Sequence, residues 1–312
     1  MQTTRLGRTG LEVSVAGLGC GGHSRLGMAT GNDEAHAARV VSHALDLGLN
    51  FIDTARAYGT ETAVGKAVAG RRDQVVISTK TSAGRGGDLL SPEALTASLE
   101  KSLARLSTDY VDVFHLHGVR PEQYDHCVEL LVPEMQRQRD LGKLRFLGIT
   151  EQFGGDTGHR MLQRALGDNL FDVVMVGFNL LNPSARERVF PDTLEHDVGT
   201  LIMFAVRRAL SQPEALSTLV AGLVERGEVD ARNLNREDPL QFIREHADVS
   251  GIVEAAYRFC RHESGADVIL TGTGNPEHLT QNVAAIQAPP LPDELNVALR
   301  RLFGNVDSVS GN

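Results

Sequence analysis

Residues 50–66 read NFIDTARAYGTETAVGK and set a carboxylate, Asp53, at the end of a short apolar run, with a phenol, Tyr58, five residues later on a turn that opens a helix. A phenol held near a carboxylate can donate a proton once a neighbouring cation lowers its pKa from about 10 toward working pH. The sequence offers that cation in Lys80, which closes the next apolar run, VVISTK. A third run, YVDVFHLH, ends in His117. Three successive strand-like segments thus finish in Asp, Lys and His, with a Tyr just past the first. Each residue alone reads as a solvated strand end; their shared placement predicts acid–base chemistry at one end of a sheet.

The elements that must bring them together follow from periodicity. RLGRTGLEVSVAGLG holds a Gly-containing turn between two β-like runs and predicts a short N-terminal hairpin. After it, apolar runs alternate with amphipathic helical stretches: NFID, VVISTK, YVDVFHLH, LRFLGIT, FDVVMVGF, TLIMF and DVILTG, with SVAGLGC as the first, make eight strands. That alternation signals parallel βαβ units, whose strands, covered on both faces, are nearly continuous in apolar residues. Eight units match the usual size of a closed (β/α)8 TIM barrel, about 250 residues, in which chemistry sits at the carboxyl ends of the strands. The expectation is a single barrel domain over 1–312, with a long loop after strand 7. That loop, 206–250, is polar apart from a short helix at 214–225, and reads equally as a lid or a surface excursion.

Composition excludes several classes. The chain has 312 residues, 41% apolar and 23% charged, as expected of a soluble globular protein. Its 31 Lys and Arg against 40 Asp and Glu give a formal net charge of −9, so no general attraction to nucleic acid or an anionic membrane is expected. Three widely spaced cysteines, Cys20, Cys127 and Cys260, argue against a disulfide framework or clustered zinc site. No apolar run is long enough for a membrane span, and the opening MQTTRLGRTGLEV lacks a signal-peptide core, which makes the cytoplasm the expected compartment. Oligomeric state is not legible.

Three further motifs bear on ligands. GLGCGG at 17–22 fits G-x-G-x-x-G, but HSRLGMATGND follows where a dinucleotide fold needs a helix, so Gly21 and Gly22 read instead as a permissive rim at the first strand end. HLH puts His115 and His117 on one face of a strand; a metal there would need further ligands, and Lys80 is a poor neighbour for a cation, so no metal is expected. TGTGNPEHLTQN runs from the last strand through Gly272, Thr273 and Gly274 into a helix opened by Asn275 and Pro276, a place where amides can meet a phosphate.

Taken in order, FIDTARAYG with ETAVGKAV, VVISTK, YVDVFHLHG, GKLRFLGIT, FNLLNP and TGTGNPEHLTQN make the chain resemble the aldo/keto reductase superfamily over essentially its whole length. The resemblance implies a TIM barrel that binds a nicotinamide cofactor, usually NADPH, and interconverts a small-molecule carbonyl and its alcohol. It carries the family's tetrad onto Asp53, Tyr58, Lys80 and His117, with Tyr58 as acid/base and Asp53 also near the cofactor. The family's carboxamide-holding Ser-Asn after strand 5 is Thr150 and Glu151 here, and its strand-6 Gln is Met175. The aromatic that stacks on the nicotinamide is Phe204, followed by Ala205, Val206 and Arg207 in place of Ser-Pro-Leu. The Lys and Arg that many members set on the 2′-phosphate align with Gly272 and His278, while Thr273 and Asn282 remain for the adenosine end. NADP(H) is therefore expected with NAD(H) open, Arg207 or Arg208 being the next candidates for the phosphate. Two other readings stand beside this one: a nucleotide-binding regulatory or sensor protein on the same barrel, and a metal-dependent barrel hydrolase using His115 and His117.

Overall fold

The computed structural model describes residues 1–85 and 88–312. Eight parallel strands close into a barrel: β1 (Ala16–Gly19), β2 (Phe51–Asp53), β3 (Val76–Ser82), β4 (Val111–Val119), β5 (Leu144–Glu151), β6 (Val173–Gly177), β7 (Gly199–Met203) and β8 (Val268–Thr271). Each pairs with the next, and β8 pairs with β1 through Ile269↔Ala16 and Leu270↔Gly17. The expected hairpin is present, Thr3–Arg5 running antiparallel to Glu12–Ser14.

The period-two alternation along each strand sorts the core into two bodies. Outward-facing Ile52, Ile77, Phe114, Leu116, Leu147, Ile149, Val174, Ile202 and Ile269 meet the surrounding helices. Inward-facing Phe51, Val76, Val113, Val173, Met175, Leu201 and Val268 fill the lower barrel, where Leu6, Leu11 and Val13 of the hairpin close it from below. Burial of each large apolar side chain is worth about 1.5–3 kcal/mol. Polar clamps hold the hairpin to this floor: Arg8 donates to the carbonyl of Phe171 at 2.6 Å and to Asp172 at 3.2 Å, and Arg5 pairs with Asp197 at 2.7 Å.

The helices follow their sequence signals closely where a cap is present. Asp33 caps Glu34–Asp46, Ser91 caps Pro92–Leu106 and Asn275 caps Pro276–Gln287. The stretch 121–140, read as one helix, is broken into a 3-10 turn, a short α-turn, a π-turn at Cys127–Leu131 and Val132–Asp140, with Pro133 at the last junction. Proline removes a donor there and favours such a break.

Two expectations need correcting. Lys80 and His117 do not end their strands; β3 runs on to Ser82 and β4 to Val119, so these side chains stand inside the barrel mouth. The segment 206–250 is not a polar excursion around one helix. Besides Pro213–Glu225 it holds short helices at Arg208–Ser211 and Gln241–Arg244, and it buries Leu210, Leu216, Val220, Leu223, Val229, Leu240, Ile243 and Val249. These apolar residues are spaced among charges, which hides their common inward face in a linear reading.

Above the apolar floor, the interior changes character at Ser78 and, one inward position higher, at Lys80, His115 and Gly148, which the register brings side by side. Gly148 is there for room: a Cβ on it would lie 2.2 Å from Nδ1 of the His115 ring. Gly148→Ala is therefore expected to overpack the barrel and lower unfolding free energy by about 1–3 kcal/mol, measured by urea titration. A variant as stable as wild type would show that His115 moves aside freely.

Candidate active site

Asp53 ends β2 and Lys80 lies on the adjacent β3, both pointing inward, and their side chains join at 2.7 Å, almost wholly removed from solvent. Lys80 also donates to the carbonyl of Thr54 at 2.8 Å, while Ser78, one inward position below Lys80, donates to the other Asp53 oxygen at 2.9 Å. Burial pushes the Asp53 carboxyl up, and the Lys80 ammonium and both hydrogen bonds oppose it. For Lys80, burial favours the neutral amine, but Asp53 and Tyr58 outweigh it and the group titrates above its ordinary range. The pair is thus an ammonium–carboxylate contact with both Asp53 oxygens and two of the three Lys80 ammonium protons bonded.

Tyr58 follows from the 3-10 turn Arg56–Tyr58, which folds its ring back over the mouth. The Lys80 ammonium lies 4.9 Å from the ring centroid, and the hydroxyl meets Nε2 of His117 at 3.3 Å with the two rings edge to face. Gly21 makes this possible, because a Cβ there would sit 2.6 Å from the ring. Gly21 thus stands against Tyr58, and Gly22, in the left-handed region at φ +72°, faces open space.

The phenol departs from the expectation of a lowered pKa. Burial raises it, and the opposing pull of Lys80 is the smaller effect, so Tyr58 is a protonated phenol across the physiological range. His117 is neutral as well, held down to about 3 by burial first and Lys80 second. His115, directly beneath on the same strand face, is also held well below its ordinary range, again by burial first, then by Lys80 and His117. Among the described residues neither ring nitrogen of His115 has a hydrogen-bond partner, and no three His, Cys, Asp or Glu side chains converge as metal ligands.

The strand-5 and strand-6 departures acquire a structural account. Thr150 Oγ1 accepts from the Gly118 amide at 2.6 Å and keeps its own proton to give. Glu151 is fully committed elsewhere: its carboxylate takes His159 Nδ1 at 2.9 and 3.0 Å and the Gly177 amide at 2.7 Å, while His159 Nε2 meets Ser184 at 3.0 Å. Met175 belongs to the apolar floor. Phe153 stacks on His159 and meets Phe204 edge to face at 5.6 Å. Phe204 itself adopts φ +68°, a conformation that costs a non-glycine residue about 1–3 kcal/mol and clusters at functional sites. The Glu151–His159 pair left no mark that sequence reasoning used; an acid and a histidine eight residues apart, with Gly154 and Gly155 between, were its only trace.

Past β8 opens a cleft of about 680 Å³ lined by Ser24, Thr30, Asn32, His36, Thr273, Gly274, Asn275, Pro276 and Glu277. The helix amides expected to be free are partly spent, since Asn275 Oδ1 takes the Glu277 and His278 amides at 2.8 and 3.4 Å. Neither His278 nor Arg207 nor Arg208 lines this cleft; the charged group that does is Glu277. Gly272 backs onto Gly19, and the Asn282 amide donates to Thr271 at 3.0 Å. The structure therefore groups Asp53, Tyr58, Lys80 and His117 at the mouth, Thr273 and Gly274 at the cleft, and leaves His278 outside it.

The neutral histidines carry a testable consequence for stability. Below pH 6.5 the unfolded chain takes up a proton at His117 that the folded protein refuses until about pH 3, so stability present above pH 6.5 is lost as pH falls through this window. His117→Asn should flatten the pH dependence of unfolding free energy there by up to about 1.4 kcal/mol per pH unit, read from denaturant titrations at stepped pH. Parallel slopes would mean that His117 titrates normally.

Comparisons with known proteins point to one family. The model of the aldo/keto reductase family matches residues 17–302. Aldo-keto reductase YhdN of Bacillus subtilis is 29% identical over 311 residues, covering 89% of this chain and 87% of YhdN, and the oxidoreductase YqkF of the same organism is 24% identical over 309, covering 96% of each. L-galactose dehydrogenase of Arabidopsis thaliana is 38% identical over 152 residues, 46% of this chain and 47% of that protein. The solved holo form of aldo-keto reductase AKR11C1 from Bacillus halodurans superposes with a TM-score of 0.73 at 24% identity, covering 98% of this chain and 97% of that one. The chain belongs to the aldo/keto reductase family and is an oxidoreductase of that type.

Proposed function

We propose that the protein reduces a carbonyl compound to its alcohol, and reverses the reaction, with Tyr58 as the proton donor and acceptor. The observation that carries this reading is the protonated Tyr58 hydroxyl 3.3 Å from a neutral imidazole, above a buried ammonium. A nicotinamide dinucleotide, held by residues such as Thr150 and Thr273, would supply or take the hydride. As the carbonyl carbon gains hydride its oxygen gains charge, and Tyr58 passes its proton to that oxygen. The phenolate left behind faces Lys80, which stabilises it; Asp53, Thr54 and Ser78 keep Lys80 in place and charged. His117, neutral, has one Nε2 to share between Tyr58 and the substrate oxygen and so orients the carbonyl. Tyr58→Phe should abolish reduction while nucleotide binding stays near wild type, measured by nucleotide oxidation and by fluorescence titration; activity within about tenfold of wild type would remove Tyr58 from this role.

The donor set at the cleft supports a dinucleotide and bears on which one. Thr273 and the carboxylate of Glu277 match a ribose diol, whose hydroxyls donate, whereas no Lys or Arg among the lining residues would pair with a 2′-phosphate. Thr150, not Glu151, has the free donor for the carboxamide. We infer NAD(H) in preference to the family's usual NADP(H). Glu277→Arg should shift the NADPH-to-NADH affinity ratio upward by about tenfold or more, since one charge-assisted contact is worth roughly 1.5–3 kcal/mol. A wild type that already prefers NADPH, or a ratio unmoved by the substitution, would place the phosphate elsewhere. Nucleotide binding without turnover on any carbonyl would favour the regulatory reading.

A further inference from the structure

Arg207 stands out among the cations of the structure. It is half-buried, its guanidinium lies 4.2 Å from the Phe204 ring centroid, and its Nε donates to the Asn312 side chain at 2.8 Å. Those two contacts fix the plane of the guanidinium and use one of its donors. Among the described residues no carboxylate comes within ion-pair distance of it, and neither Nη group has a protein acceptor. Its position is at the reaction end of the mouth: Phe204 meets Phe153, Phe153 packs on Gly177 at the end of β6, and a charge on Tyr58 is felt at Arg207. Burial alone already lowers the Arg207 pKa, so holding an unpaired guanidinium there has a cost that a structural role would relieve with an acid.

We propose that Arg207 anchors an anionic group on the carbonyl substrate, so that the enzyme acts on aldehydes or ketones bearing a carboxylate or phosphate in preference to neutral ones. A guanidinium held by its Nε side presents Nη1 and Nη2 as a fork that matches two anionic oxygens. The substrate then spans from this fork to the Tyr58 hydroxyl, which sets its carbonyl against the proton donor. The inference rests on the reading of Tyr58 given above.

The test uses two aldehyde acids of different reach, succinic semialdehyde and 4-formylbenzoate, each beside its neutral methyl ester, with 4-formylphenyl phosphate as the phosphate arm. Binding is measured by calorimetry with and without NADH, and reduction by NADH oxidation. At least one acid should bind about tenfold or more tighter than its ester, with the same ratio in kcat/KM carried mainly by KM; Arg207→Met should remove that preference and Arg207→Lys should restore part of it. The phosphate arm decides whether carboxylate or phosphate is the better fit. Acids and esters that bind alike overturn the proposal. So does an Arg207→Met variant that loses NADH affinity instead, which would assign the guanidinium to the pyrophosphate of the cofactor. Arg207-dependent binding without reduction would leave the anchor standing and remove the reductase reading; reduction without preference would do the reverse.

Discussion

The buried contact between Lys80 and Asp53 is the constraint around which the barrel mouth is arranged. An ammonium and a carboxylate withdrawn from water hold their charges only while they hold each other, and removing one partner costs about 3–5 kcal/mol. Each therefore has a further partner, Thr54 for Lys80 and Ser78 for Asp53, and the two sit on neighbouring strands whose register holds them together. The field of that pair then decides its surroundings. It adds to the burial that keeps His115 and His117 neutral, holds a cation under the Tyr58 ring, and stabilises a negative charge on the phenol oxygen.

Burial and this field act on Tyr58 in opposite senses, and burial wins while the phenol is protonated. The arrangement suits a donor that gives its proton only when the acceptor becomes strongly basic, as a carbonyl oxygen does on receiving hydride. Glycine at two points permits the geometry. Gly148 gives the His115 ring its space and Gly21 gives the Tyr58 ring its own, so the placement of imidazole and phenol rings depends on the absence of two methyl groups.

Much of this was legible in the chain before any coordinates. Strand-like runs ending near Asp53, Lys80 and His117 indicated eight parallel units and one shared end, because inward-facing positions on successive parallel strands must converge. The order of motifs indicated the family. What the sequence hid was pairing between distant segments. Glu151 looked like a defect in a nicotinamide site, but its partners His159 and Gly177 come from a loop and from the next strand. That Glu277 and not His278 lines the cleft is hidden as well, because an exposed helix turn gives no sign of which of two adjacent side chains faces inward. The segment 206–250 was read as polar because its apolar residues line one face only once its short helices have formed. The direction of the Tyr58 shift was equally hidden, since burial can be measured only in the folded chain.

The N-terminal hairpin has a consequence that belongs to traffic rather than to packing. With Leu6, Leu11 and Val13 wedged among Phe51, Val113 and Leu201, and clamped by Arg5 and Arg8, the barrel floor is closed among the described residues and the mouth is left as the way in. In the proposed reaction, two reactants meet above Tyr58 and pass through that mouth in turn. The one that lies deeper enters first and departs last, so departures queue behind one another, and the pace of the cycle can be governed by the opening of the mouth while the bond-making beneath it waits.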